Sequence, residues 1–136
     1  MIGRDAFPRV PLIRALVAAW GLRAGWLVIR GPELTFPDEE RFWCEALSWV
    51  NGGPVGCGPN IAHDMPLTAL LAGVVVHITG PSLWAAKLVT VSLSALTLIP
   101  CALIAWCLTG KRIAVLFAAY GFAIYPFSIY YSARLL

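Results

Sequence analysis

Residues 83–108 read LWAAKLVTVSLSALTLIPCALIAWCL, an apolar run in which Lys87 is the single formal charge. A helix rises about 1.5 Å per residue, so about twenty apolar residues cross the hydrocarbon core of a bilayer. This run is long enough to span. Pro100 lacks a backbone donor and crowds the carbonyl of Leu96, which predicts a kink within the span rather than an end to it. Working outward, a second apolar block covers residues 10–29 and is interrupted by Arg14 near its start and Arg23 towards its far end. A third covers 113–131 and follows the polar turn Thr109-Gly110-Lys111-Arg112. These blocks predict an all-α integral membrane protein with about three transmembrane helices, organised as one membrane domain over residues 1–136, with juxtamembrane helices in the loop 30–81.

Composition points the same way. Of the 136 residues 60% are hydrophobic and 12% charged, where a soluble domain has about half its residues apolar and about a quarter charged. The net charge of +3 is small and scattered, whereas nucleic-acid binders usually concentrate a basic stripe, so nucleic acid is set aside as a partner. No small-residue cleavage site follows the first apolar block, so that block is expected to stay attached. The chain stops at Leu136 without a polar tail, which reads as truncation.

Charge is partitioned along the chain. Six of the seven acids (Glu33, Asp38, Glu39, Glu40, Glu45 and Asp64) fall in the stretch 30–66, with Arg30 and Arg41 as its only permanent cations. Arg4, Arg9 and Arg14 flank the first span, and Lys111 and Arg112 occupy the turn before the third. Cytoplasmic loops are enriched in Lys and Arg, so these two basic groups are expected inside and the acidic loop outside the cytoplasm. In a bacterium that is the periplasmic face of the inner membrane, and in a eukaryote the lumen of a secretory compartment.

Within the loop, Phe42, Trp43, Ala46, Leu47 and Val50 recur at helical spacing, while Glu40, Cys44 and Ser48 follow at intervals of four on the opposite side. An interfacial helix is expected there, ended by Asn51-Gly52-Gly53-Pro54. The segment from Pro66 to Thr79 is apolar but short and closes at Gly80-Pro81, so it is read as a surface or partly immersed helix rather than a crossing. Cys44 and Cys57 lie in the polar loop, and a disulfide between them and two free thiols fit the sequence equally well. No CxxC or Cys/His zinc pattern occurs, and the sequence indicates neither a metal nor another cofactor. Trp26, Trp43, Trp84 and Tyr130 suit an interfacial aromatic belt.

Pro37-Asp38-Glu39-Glu40 opens the interfacial helix, where the helix dipole favours negative charge. A carboxylate held there can take a proton from a substrate hydroxyl while a lipid-linked substrate lies alongside. On local pattern alone, an acidic first turn on a solvated helix is the favoured reading. Arg23, inside an apolar span, must pair, face a cavity or snorkel to the surface, and Lys87 invites the same reasoning. Two cations near several carboxylates would suit a phosphate-bearing lipid and a hydroxyl to be activated. His63-Asp64-Met65-Pro66 reads either as another wall of that site or as a capped helix start. His77, among Val74, Val75 and Val76, reads as a satisfied structural histidine.

In order and spacing these features resemble the amino-terminal part of the GT-C class of membrane glycosyltransferases, which includes protein O-mannosyltransferases and aminoarabinose transferases. The matching elements are Leu22-Arg23 late in the first span, Asp38-Glu39 leading into an aromatic juxtamembrane helix, and His63-Asp64-Met65-Pro66-Leu67 before the next helix. Gly80-Pro81-Ser82-Leu83-Trp84-Ala85-Ala86-Lys87-Leu88 is similar to the family's glycine turn followed by Ala-Arg-Leu, with lysine in place of arginine. Tyr125-Pro126 to Ser132 is similar to the end of its third span. The resemblance covers nearly the whole chain through short motifs, and it implies a fragment of an inverting enzyme that transfers a sugar from a polyprenyl phosphate to an acceptor outside the cytoplasm. It implies Asp38 as the catalytic carboxylate, Glu39 as support for Asp38 or the acceptor, and Arg23, Lys87 and His63 near the lipid phosphate. A complete module has more spans, so this stretch alone is expected to be inactive. The competing reading is a small non-catalytic subunit that packs on a larger membrane protein through residues such as Gly73, Ala85 and Ala86. A carrier or channel fragment ranks third, because no internal repeat is visible.

Overall fold

A computed structural model of the chain describes residues 6–52 and 66–135. Among the described residues there are seven helices and no strand: α1 (Arg9–Arg30), α2 (Pro37–Asn51), α3 (Pro66–Thr79), α4 (Leu83–Leu96), α5 (Leu98–Thr109), α6 (Arg112–Ile124) and α7 (Pro126–Ser132). α1 and the continuous stretch Leu83–Thr109 are long and apolar enough to cross a membrane, and α6 with α7 makes a third crossing if the bent pair is taken as one. α3 is apolar but short, as its length predicts.

The packing is inverted relative to a water-soluble bundle. The inside is built of small side chains: Ala15, Ala19, Ala95, Ala119 and Ala123 close around Leu98 where α1, α4, α5 and α6 meet. Large apolar residues such as Val17, Ile29, Leu108, Phe117 and Ile124 face outward. Small residues let helix backbones approach closely, and this gives helices their contact when lipid removes the hydrophobic drive between them. On α1 the buried stripe Ala15, Ala19, Arg23 and Leu27 advances by four residues each time, so Arg23 falls inside the bundle rather than on its outer face.

Local boundaries follow from sequence chemistry. α2 starts with Pro37 in its first turn, where a missing donor is harmless, and ends at Gly52, which takes the left-handed conformation with φ 71°. Gly110, at φ 62°, ends α5 in the same way. In the stretch 83–108 the irregularity falls at Thr97, one turn before Pro100, because the proline disturbs the carbonyls of the preceding turn.

The third apolar block is divided: α6 and α7 are bent by 51° and together are long and apolar enough for one crossing. Pro126 cannot donate to the turn before it and holds Tyr125 in an extended conformation, with ψ 115°. His77 departs from expectation, since it lies exposed near the end of α3 rather than satisfied within the core. Cys44 is disulfide-bonded, which decides the open question for that residue, while Cys101 and Cys107 are free. Cys57 lies outside the described residues.

Candidate functional site

α2, the start of α4 and the end of α7 meet at one end of the bundle, around Glu39. Glu39 sits in the first turn of α2 and its side chain turns back past the helix start. There Oε2 accepts from the Thr35 backbone N–H at 2.9 Å and from the Thr35 hydroxyl at 3.1 Å. Oε1 accepts from Lys87 Nζ at 3.1 Å and from the Leu135 N–H at 3.1 Å. Lys87 Nζ also donates to the Glu33 carbonyl at 2.8 Å. Both side chains are buried, Glu39 at 0% and Lys87 at 2% exposure. Burial alone would raise the Glu39 pKa, but the Thr35 N–H, the hydrogen bond and charge of Lys87 and the Leu135 N–H outweigh it and hold the carboxyl below its ordinary value. The carboxylate therefore ties three parts of the chain together, and both of its oxygens are fully used by protein donors.

Asp38, the preceding residue, has the opposite setting. It is exposed in the first turn of α2. Among the described residues no hydrogen bond or ion pair engages its carboxylate. Adjacent acids thus divide into one locked inside and one open to a ligand.

Arg23 lies apart from this group. It is seven residues before Arg30 on α1, or about 10 Å deeper along the axis. Its Nε donates to Ser94 Oγ at 3.2 Å, one terminal nitrogen to the Ala19 and Ala123 carbonyls at 2.9 and 3.3 Å, and the other to the Phe122 carbonyl at 3.2 Å and Ser128 Oγ at 2.7 Å. All five donors of a guanidinium are thereby in use. The Phe122 and Ala123 carbonyls belong to the last turn of α6, where the Pro126 bend interrupts the helical pattern and the Phe122 carbonyl also accepts from the Tyr125 N–H at 3.3 Å. Arg23 adds a donor to each carbonyl and a cation at the negative end of the helix dipole. The sequence-predicted residues are therefore brought together only in part. Asp38, Glu39 and Lys87 share one end of the bundle, Arg23 sits deeper, and His63 lies outside the described residues. Among the described residues no group of three or more His, Cys, Asp or Glu side chains is arranged to hold a metal.

One residue not singled out in the sequence stands in the same region. Arg134 follows α7 and is 6% exposed. Its guanidinium carbon lies 3.7 Å from the centre of the Phe36 ring, 4.1 Å from that of Tyr130 and 5.1 Å from that of Tyr131. Its Nη2 is buried and donates to no described residue. Arg134 also lines a cavity of about 360 Å³ among α3, α4 and α7. The only available signal was an arginine beside two consecutive tyrosines, which suits cation–π stacking but does not reveal that Phe36 completes the stack. No family model matches the chain, and no curated protein or solved structure matches it either.

Proposed function

We propose that the chain is part of an inverting glycosyltransferase of the GT-C class, moving a sugar from a polyprenyl phosphate to an acceptor hydroxyl on the extracytoplasmic side of a bacterial inner membrane. In this reading α1, the α4–α5 helix and the bent α6–α7 pair are its first three spans. Arg9 and Arg14 at the start of α1, and Lys111 and Arg112 between α5 and α6, then share the cytoplasmic end, as the bias of cations towards that side favours. α2 lies at the other end with its acidic first turn.

The observation that carries the reading is the contrast between Asp38 and Glu39. An exposed, unengaged carboxylate sits one residue from a buried one that fixes its helix. Asp38 takes the proton of the acceptor hydroxyl as its oxygen attacks the anomeric carbon. The bond from that carbon to the phosphate oxygen breaks, the electron pair leaves with the polyprenyl phosphate, and attack from the opposite face inverts the sugar. Glu39 acts through position: it holds α2 against α4 and the end of α7 and so fixes where Asp38 stands.

Asp38→Asn is expected to abolish sugar transfer in the protein's own membranes while insertion and helix content stay unchanged. Transfer retained by that variant would remove Asp38 from the role of base. The non-catalytic subunit reading has less support, because two of its three small residues are already occupied within the chain. Gly73 packs against the Ala46 backbone of α2, and Ala86 is buried beside Ala46 and Ala72.

A further inference from the structure

Arg23 sits beside the α6–α7 bend and holds both of its sides. Its Nη2 donates to the Phe122 carbonyl at 3.2 Å and to Ser128 Oγ at 2.7 Å, while Nη1 donates to the Ala123 carbonyl at 3.3 Å. Phe122 and Ala123 lie in the last turn of α6 and Ser128 in the first turn of α7. A single nitrogen therefore joins the two helices across their 51° bend. The guanidinium also stacks on the Phe122 ring, 5.2 Å from its centre, and Nε is anchored to Ser94 Oγ of α4 at 3.2 Å. Pro126 fixes where the chain bends, because it lacks a backbone donor and restricts Tyr125. Arg23 fixes how far.

The far end of α7 grips the first turn of α2. The Leu135 N–H donates to Glu39 Oε1 at 3.1 Å, and the Leu135 side chain is buried with Ala46 of α2 and Ala86 of α4. The Arg134 guanidinium covers the ring of Phe36, whose carbonyl accepts from the Glu39 and Glu40 N–H groups at 3.0 and 3.3 Å. Both ties meet the turn that carries Asp38. α7 has seven residues and is about 10 Å long, so a change of about 10° in the bend moves its far end by about 2 Å. The hydrogen bond from Leu135 to Glu39 does not survive that displacement.

We propose that Arg23 is a positioning residue for the Asp38 carboxylate, acting through α7: by bridging the bend it sets where Leu135 and Arg134 hold the start of α2. The mechanical coupling stands on the geometry alone, and its consequence for catalysis rests on the transferase reading.

The test reads amide hydrogen exchange by NMR on the full chain in phosphatidylcholine nanodiscs. Ser128→Ala removes the α7 side of the bridge and leaves the arginine in place. Exchange at the Leu135 and Glu39 amides should quicken about tenfold or more relative to Ala102 of α5, which is also buried. Arg23→Gln should act in the same direction, and Ser128→Ala decides the matter if Arg23→Gln loses helix content. Ser92→Ala removes another α1–α4 hydrogen bond, from Trp20 Nε1 at 3.1 Å, and should leave both amides unchanged. Unchanged exchange in Ser128→Ala, a rise shared equally by Ala102, or an equal response in Ser92→Ala would overturn the coupling. In the protein's own membranes Ser128→Ala should lower kcat for sugar transfer about tenfold with KM unchanged, because a displaced base slows the chemical step and leaves binding alone. Transfer left intact by Ser128→Ala, or impaired through KM alone, where Asp38→Asn abolishes it would overturn the positioning role. Quickened exchange together with transfer that survives Asp38→Asn removes the transferase reading and leaves the coupling.

Discussion

Arg23 and Arg134 are both buried arginines beside the bent α6–α7 pair, yet their surroundings are opposites. Arg23 meets carbonyls and hydroxyls with every donor, whereas Arg134 meets rings on its faces and leaves Nη2 unmet. Burial of a cation is therefore a poor guide to its role. A cation whose donors are all met completes the fold, and one with a buried donor left over carries a cost that its described surroundings do not remove. The same distinction separates Glu39, whose oxygens are filled, from Asp38, whose carboxylate is open.

The most disruptive way to test this contrast is at the buried ion pair. Lys87→Met strands the Glu39 charge and Glu39→Leu strands Lys87, so each should cost about 3–5 kcal/mol of stability. The double variant should recover much of that loss, and a double-mutant cycle by denaturant unfolding in detergent measures it. Arg23→Leu should follow at on the order of 3 kcal/mol, because the Ala123 and Phe122 carbonyls lose the donors it supplies and the latter keeps only the Tyr125 N–H. Hydrogen exchange should locate the loss at the α6–α7 bend.

Acid provides a milder perturbation. The Glu39 pKa is depressed in the folded chain, so its contribution is fully present above the unfolded carboxylate pKa and is lost as pH falls through the folded value. Unfolding midpoints should drop in that acid window for the parent chain and stay flat through it, at a lower level, for Glu39→Gln. Arg134→Gln should have the smallest effect on stability, about 1 kcal/mol from lost ring stacking. A loss as large as that of Arg23→Leu would erase the difference between the two arginines.

Much of this arrangement was legible along the chain because it is local. The span boundaries follow from apolar run length, the start of α2 from Pro37 and its acids, and the ends of α2 and α5 from Gly52 and Gly110. The bend at Tyr125-Pro126 was visible as a proline, but its outcome depended on Arg23 being placed, from about a hundred residues away, to take the freed carbonyls. Helical spacing in the loop marked Phe42 and Ala46 as part of one apolar face, and both are buried. It gave no sign that Glu39 and Glu45 would be buried with them, because the Glu39 partners Lys87 and Leu135 are remote in sequence. Arg134 escaped notice for the same reason, since Phe36 reaches it only through the fold.

The most direct test of the contrast between a completed and an open cation is the thermal stability of the parent chain, Arg23→Gln and Arg134→Gln, measured in one nanodisc preparation with and without polyprenyl phosphate. A ligand that binds only the folded chain raises its stability with concentration. The parent should gain stability from the lipid. Arg23→Gln should begin far lower, and Arg134→Gln should begin close to the parent. If Arg134→Gln falls as far as Arg23→Gln, the distinction drawn between the two arginines fails.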